Sequence, residues 1–196
     1  HEQRLVEKGD RANWTAARKL LLNRVAEAAV IENGSDVILG EGLAYDRCQV
    51  GVVTDIEPAR HYGKFYIETP EQVFNVLRTQ VDVVLPEGVA VLNGGDPLAV
   101  EMAPLCDGEV MFFAARPDAP AISEHLAKGK RAVIVHDRQI VLATGNQGVP
   151  LVEVNSIALV KGGKVQIENI LAAVATAWAL ELSPDLVRAG IESFEI

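Results

Sequence analysis

The sequence predicts an α/β protein built on a doubly wound, mostly parallel sheet with a small antiparallel annex. Three observations carry that prediction. Short apolar runs rich in Val, Ile and Ala alternate with segments opened by helix caps, the rhythm of a sheet covered by helices on both faces. Only 5% of the 196 residues are aromatic while 49% are hydrophobic, which suits α/β layers better than an aromatic-pinned sandwich or a base-stacking platform. After residue 130 the texture changes to brief apolar runs separated by tight polar turns, as in hairpins.

Taken in order, Thr15 is the expected N-cap of a first short helix, Thr-Ala-Ala-Arg-Lys-Leu-Leu-Leu-Asn. Ala28-Ala-Val-Ile-Glu-Asn reads as a buried strand ending in a polar pair. Residues 35–42 are a short helical or turn segment, and Gln49-Val-Gly-Val-Val-Thr is a strand ending at Asp55. A polar loop covers 57–66. Thr69-Pro70-Glu71 then opens a helix with a cap, a proline in the first turn and an acid near the positive end. The Val81-Asp-Val-Val run fits strand or helix, and the preceding cap favours a helix running to Leu85. Pro86-Glu-Gly is a turn, Val89-Ala-Val-Leu-Asn a strand, 97–105 a helix and Glu109-Val-Met-Phe-Phe a strand. Arg131–His136, the turn Asp137-Arg138, Ile140-Val-Leu-Ala and Leu151-Val-Glu-Val form the annex. Ile167, Ile170, Leu171, Val174, Ala177 and Trp178 recur at helical spacing, and Ser183-Pro184-Asp185 caps a last helix ending near Gly190. No repeat or low-complexity linker divides the chain, so 1–196 reads as one domain.

Composition excludes several function classes. A formal charge of -9 with no Lys/Arg cluster opposes a nucleic-acid partner. Cys48 and Cys106 are too few for a disulfide framework and too isolated for a zinc motif, so both are expected to be reduced, partly buried thiols. No run of about 18 apolar residues and no leader pattern is present, so no membrane partner is expected and the cytoplasm is the default location. Gly-x-Ser-x-Gly, His-Glu-x-x-His and Cys-x-x-Cys are absent, which leaves serine hydrolase, zincin and thiol redox chemistry without support. The phosphate loop Gly-x-x-x-x-Gly-Lys-Ser/Thr is missing, and Gly40-Glu-Gly-Leu-Ala-Tyr is not a dinucleotide fingerprint because Tyr45 replaces its third glycine.

Ligands of an open parallel sheet gather at the carboxyl ends of its strands, where Glu32, Asp55, Asn93 and Asp96 fall. Each of these is as ready to cap a helix or tie a loop as to bind a ligand. Carboxylates with a histidine at such an edge are also how Mg2+ is held beside nucleotide phosphates. His61, flanked by Arg60 and Lys64, is balanced between a solvated loop residue and a ligand-binding one, whereas His125, on an expected surface helix, and His136, at a turn, read as structural.

Several segments in order carry a family resemblance. Glu32-Asn-Gly-Ser-Asp-Val-Ile-Leu-Gly-Glu-Gly-Leu-Ala-Tyr-Asp-Arg-Cys through Val-Val-Thr-Asp55, then Val89-Ala-Val-Leu-Asn and Glu168-Asn-Ile-Leu-Ala-Ala, resemble the central domain of Mur ligases. The Glu-Gly-Leu-Ala-Tyr-Asp-Arg-Cys run, Leu105-Cys-Asp-Gly-Glu-Val and the Ala-Trp-Ala-Leu to Ser-Pro-Asp-Leu ending resemble cyanophycin synthetases more narrowly. The resemblance implies an ATP-dependent amide ligase that polymerises aspartate and arginine onto a cyanophycin primer through acyl phosphates, with Mg2+ as the metal and a homo-oligomeric assembly. This module would resemble the arginine-adding one. The resemblance also implies that 1–196 is an incomplete central domain, with a phosphate loop before it and a lid domain after it.

Carried over residue by residue, the resemblance assigns Glu32 and His61 to the metal and Asn93, Asp96 and Asn169 to the nucleotide. No catalytic residue is assigned. The departures concentrate on the same site: the family's Glu-Thr-Ala-Arg-Gly-Gly is Glu32-Asn-Gly-Ser-Asp-Val, its Thr-Asn is Thr54-Asp55, its Asp-His is Arg60-His61 and its Asn-Ala-Asp-Asp is Asn93-Gly-Gly-Asp96. The family's lysine falls at Leu77. Two other readings are a catalytically inactive structural module of the same enzyme and another Mur-type peptide ligase.

Overall fold

The computed structural model describes residues 9, 11–56, 63–157, 160, 162–163 and 165–194. These form a six-stranded sheet in the order β1-β2-β3-β4-β5-β6, with β1 Cys48–Val53, β2 Val84–Asn93, β3 Glu109–Ala114, β4 Arg131–His136, β5 Gln139–Thr144 and β6 Gln147–Glu153. β1 to β4 pair in parallel, and β5 and β6 add on antiparallel. The expected annex is therefore continuous with the main sheet, because β4 pairs with β3 on one side and β5 on the other. Asp137 and Arg138 both take positive φ, 47° and 63°, as a two-residue hairpin turn matched to strand twist requires.

Strand alternation divides the core into two layers. From β2, Ala90 and Leu92 point into one cluster with Val53, Met102, Phe112 and Ile122, under α3 (Pro70–Leu77), α5 (Pro97–Glu101) and α6 (Pro120–Ala127). Val89 and Val91 point the other way, joining Met111, Phe113, Val133, Leu171 and Val174 under α7 (Ile167–Ala179) and α8 (Pro184–Ser193). Burial on both faces explains why these strands read as unbroken apolar runs.

Several boundaries differ from the sequence expectation. The first helix, α1 (Trp14–Leu21), is capped by Asn13, whose Oδ1 accepts from Ala16 N at 2.9 Å, displacing Thr15 from that role. Asparagine outranks threonine as a cap, which accounts for the shift. The helix from Pro70 has the expected Thr69 cap and a reciprocal Gln72 bond, but it breaks at Arg78, and α4 spans only Thr79–Asp82. β2 already begins at Val84, and Pro86-Glu-Gly is an irregularity inside it, between the pairs Cys48↔Val84 and Val50↔Val89. Proline is tolerated there because a bulged residue has no ladder bond to make. α8 runs through Gly190 to Ser193. His125 is half-buried, its ring 4.6 Å from that of Phe112 and its Nε2 3.1 Å from Arg131 O, so it is structural as expected but is not on the surface.

The largest difference concerns residues 28–33, which form no ladder. They lie across a groove of about 330 Å3 from the outer edge of β1, lined by Ala28, Val30, Ile31, Gln49, Gly51 and Leu180. Val30 is 89% exposed. The segment is fastened at its end, where Asn33 Nδ2 donates to Tyr45 Oη at 2.8 Å and to Gln80 Oε1 at 3.3 Å, and α2 (Ser35–Glu41) follows.

Candidate functional site

Because β1 to β4 run in parallel, their carboxyl ends share one edge of the sheet, and Thr54–Ile56 lies beside Asn93–Asp96. Side chains join the two. Asn93 Nδ2 donates to Thr54 O at 2.8 Å and its Oδ1 accepts from Gly95 N at 2.8 Å. Asp96 caps α5 by accepting from Leu98 N at 2.9 Å through Oδ1, while Oδ2 accepts from Ile56 N at 2.8 Å. Gly94 is buried, and a β-carbon there would stand 2.5 Å from Ile122 Cδ1. Gly95 and the carboxylate-bearing Asp55 are exposed.

The other sequence-predicted residues lie elsewhere. Glu32 is exposed and lines a cleft of about 380 Å3 with Arg11, Ala16, Leu20 and Val30. Asn169, in the first turn of α7, is exposed and borders an apolar groove of about 530 Å3 walled by Ile170, Ala173, Val174, Leu182 and Leu186. His61 is outside the described residues. The structure thus brings Asn93 and Asp96 together and sets Glu32 and Asn169 in separate clefts. Among the described residues, no group of three His, Cys, Asp or Glu side chains is placed to hold a metal ion.

Glu32 offers an exposed oxygen donor of the hard kind that Mg2+ prefers, but a lone carboxylate falls short of the several ligands the ion needs. Ser35, where the resemblance read from the sequence implies an arginine, is buried and begins α2. Cys48 and Cys106 are free and partly buried, and burial pushes both thiols up, away from the reactive thiolate form. Burial likewise raises Tyr45, with a smaller effect from Cys48. At the opposite edge Arg131 grips Glu109 with two bonds of 2.8 and 2.7 Å and stacks over Trp178, 5.1 Å from the ring centre. That hydrogen bonding holds the Glu109 carboxyl below the ordinary carboxylate value. Sequence reasoning missed this pair because 22 positions separate its members.

The architecture is similar to that of a Mur-ligase domain. It superposes on UDP-N-acetylmuramoylalanyl-D-glutamyl-2,6-diaminopimelate--D-alanyl-D-alanyl ligase from Acinetobacter baumannii with a TM-score of 0.53, covering 89% of this chain and 35% of that one at 20% identity, a likeness of fold. In sequence the chain is similar to a segment of cyanophycin synthetases: 35% identical over 191 residues to that of Synechocystis sp. and 33% over 193 to that of Crocosphaera subtropica, 96% and 97% of this chain. The resemblance read from the sequence is thereby borne out. The chain spans about a fifth of the length of these curated relatives, 22% in both cases. No protein-family model matches it. No helix among the described residues is long and apolar enough to cross a membrane.

Proposed function

We propose that this chain is a module of an ATP-dependent amide ligase of the cyanophycin-synthetase kind, working on arginine, aspartate and a cyanophycin primer in the cytoplasm as a homo-oligomer. The observation that carries the reading is the alignment with cyanophycin synthetases over nearly the whole chain. The Mur-ligase fold supports it, as does the carboxyl edge where Asn93 and Asp96 meet. In this reading the nucleotide lies along that edge, with Asn93 and Asp96 shaping its wall and Asn169 approaching from α7. Glu32, with His61, would hold Mg2+, which neutralises phosphate charge when bound.

A second reading, a non-catalytic module in the same enzyme, is favoured by Ser35, since a short buried hydroxyl cannot clamp phosphate as an arginine does. The test is ATP-dependent incorporation of labelled arginine into an aspartate-bearing primer by the full-length protein, comparing wild type with Glu32→Ala and His61→Ala. Loss of incorporation with folding intact is the expected result. Unchanged incorporation assigns the module to scaffold.

A further inference from the structure

The bonds from Asn93 and Asp96 to β1 have a pattern that neither a cap nor a loop tie requires. One oxygen of Asp96 suffices to cap α5, yet the other reaches Ile56 N, 40 positions away in sequence. Asn93 Nδ2 meets Thr54 O. Thr54 O and Ile56 N are the two groups that flank Asp55 on one side of the chain. In a parallel ladder, the residue opposite Asp55 would donate its N–H to the former and accept from the latter. The paired strand has ended at Asn93, so a side-chain amide supplies the donor and a carboxylate the acceptor. The result is one extra rung, made of side chains, that fixes the backbone on both sides of Asp55. Asp55 itself is exposed, and among the described residues its carboxylate makes no hydrogen bond or ion pair.

We infer that Asp55 is a substrate-contacting residue that recognises the cationic side chain of a basic amino acid, with Asn93 and Asp96 as its positioning residues. The inference rests on the ligase reading for its setting and names the substrate group that the edge would bind. A carboxylate presented on a fixed backbone has two oxygens in the spacing that matches a guanidinium fork, and rigidity spares the ordering cost of the contact. A metal ion is the poorer occupant, because it needs several oxygen ligands and no cluster of three acidic or imidazole groups exists among the described residues.

The test uses the full-length protein as wild type, Asp55→Asn and Asp96→Asn. Calorimetry measures binding of arginine, lysine and the neutral isostere citrulline, and arginine incorporation is followed in parallel. Losing one charge-assisted hydrogen bond predicts arginine binding weaker by roughly 10- to 100-fold in Asp55→Asn, with ATP and Mg2+ requirements unchanged. Citrulline should bind wild type and Asp55→Asn about equally. In Asp96→Asn the new amide faces Ile56 N–H, so arginine binding falls by a smaller factor and hydrogen exchange rises at 54–56. Lysine binding as tight as that of arginine identifies a general cation site and sustains the inference without the fork. Arginine bound equally by wild type and Asp55→Asn overturns it, as does a shifted Mg2+ requirement. If the wild type binds arginine through Asp55 yet incorporates none, the ligase reading fails and the recognition stands.

Discussion

Gly94 allows a quantitative test of whether packing accounts for a glycine at the candidate site. The resemblance read from the sequence implies Asn-Ala-Asp-Asp where this chain has Asn93-Gly-Gly-Asp96, and introducing an alanine by Gly94→Ala would put a methyl 2.5 Å from Ile122 Cδ1, 3.2 Å from Ile122 Cγ1 and 3.4 Å from Phe112 Cβ. Carbon atoms are comfortable at about 3.5–4.0 Å, so Cδ1 must retreat by roughly an ångström. Ile122 is fully buried, and its Cγ1 is also too close, so turning the end of the side chain alone does not clear the clash. Overpacking of this kind costs about 1–3 kcal/mol. For a chain of this length that is a fall in Tm of roughly 2–4 °C per kcal/mol. Ile122→Val removes the offending Cδ1 and by itself costs about 0.5–1.5 kcal/mol. Combined with Gly94→Ala it should cost less than the sum, with a coupling on the order of 1 kcal/mol, measured by urea unfolding of the four proteins as a double-mutant cycle. A neutral Gly94→Ala, or strict additivity, would refute the packing explanation and leave the glycine to a ligand.

Three further outcomes can be checked on the same footing. The Glu109 carboxyl titrates below its ordinary 4.5, chiefly because Arg131 donates to it, so its contribution to stability is present above that pH and is lost as pH falls through the lowered folded value. Unfolding curves of Glu109→Gln should therefore be flatter than wild type on the acid side and parallel to it near neutrality; identical acid limbs would show that the Arg131 grip contributes nothing. Gly190→Ala should stabilise the chain by about 0.5–1 kcal/mol, since the glycine sits within α8 with no atom within 4 Å of an added methyl, and thermal unfolding reads the gain. Thr69→Ala should cost about 0.5–2 kcal/mol by removing the bond that caps α3 and freeing Gln72 from its reciprocal contact, a loss that urea titration can register.

The parallel strands were legible because both faces of the sheet are covered: Val89 to Leu92 and Met111 to Phe113 bury every side chain, so the apolar run and the strand coincide. Caps were legible for a local reason. Thr69-Pro70 and Ser183-Pro184 satisfy their own first-turn amides within three residues, whatever the rest of the chain does. What could not be read was register between distant segments. Nothing near Asp96 signals that its second oxygen belongs to Ile56, and nothing near Asn33 signals Tyr45 and Gln80.

Residues 28–33 show the physical limit of such reading most sharply. Ala-Ala-Val-Ile has strand composition, and a helix precedes it as in a parallel unit, yet the structure leaves it without a ladder. Composition reports how well side chains fit a pleated, half-buried surface, whereas a strand exists only when a neighbour takes its backbone bonds. β1 spends one edge on β2 and carries its last rung on the side chains of Asn93 and Asp96, toward that same side. The order that isolates Asp55 at the carboxyl end therefore owes nothing to the far side of β1, where residues 28–31 face it across the groove. It follows that substitutions in 28–31 should leave hydrogen exchange at 54–56 unchanged, while substitutions at Asn93 or Asp96 should raise it; a response to the former would mean that the edge is held from both sides.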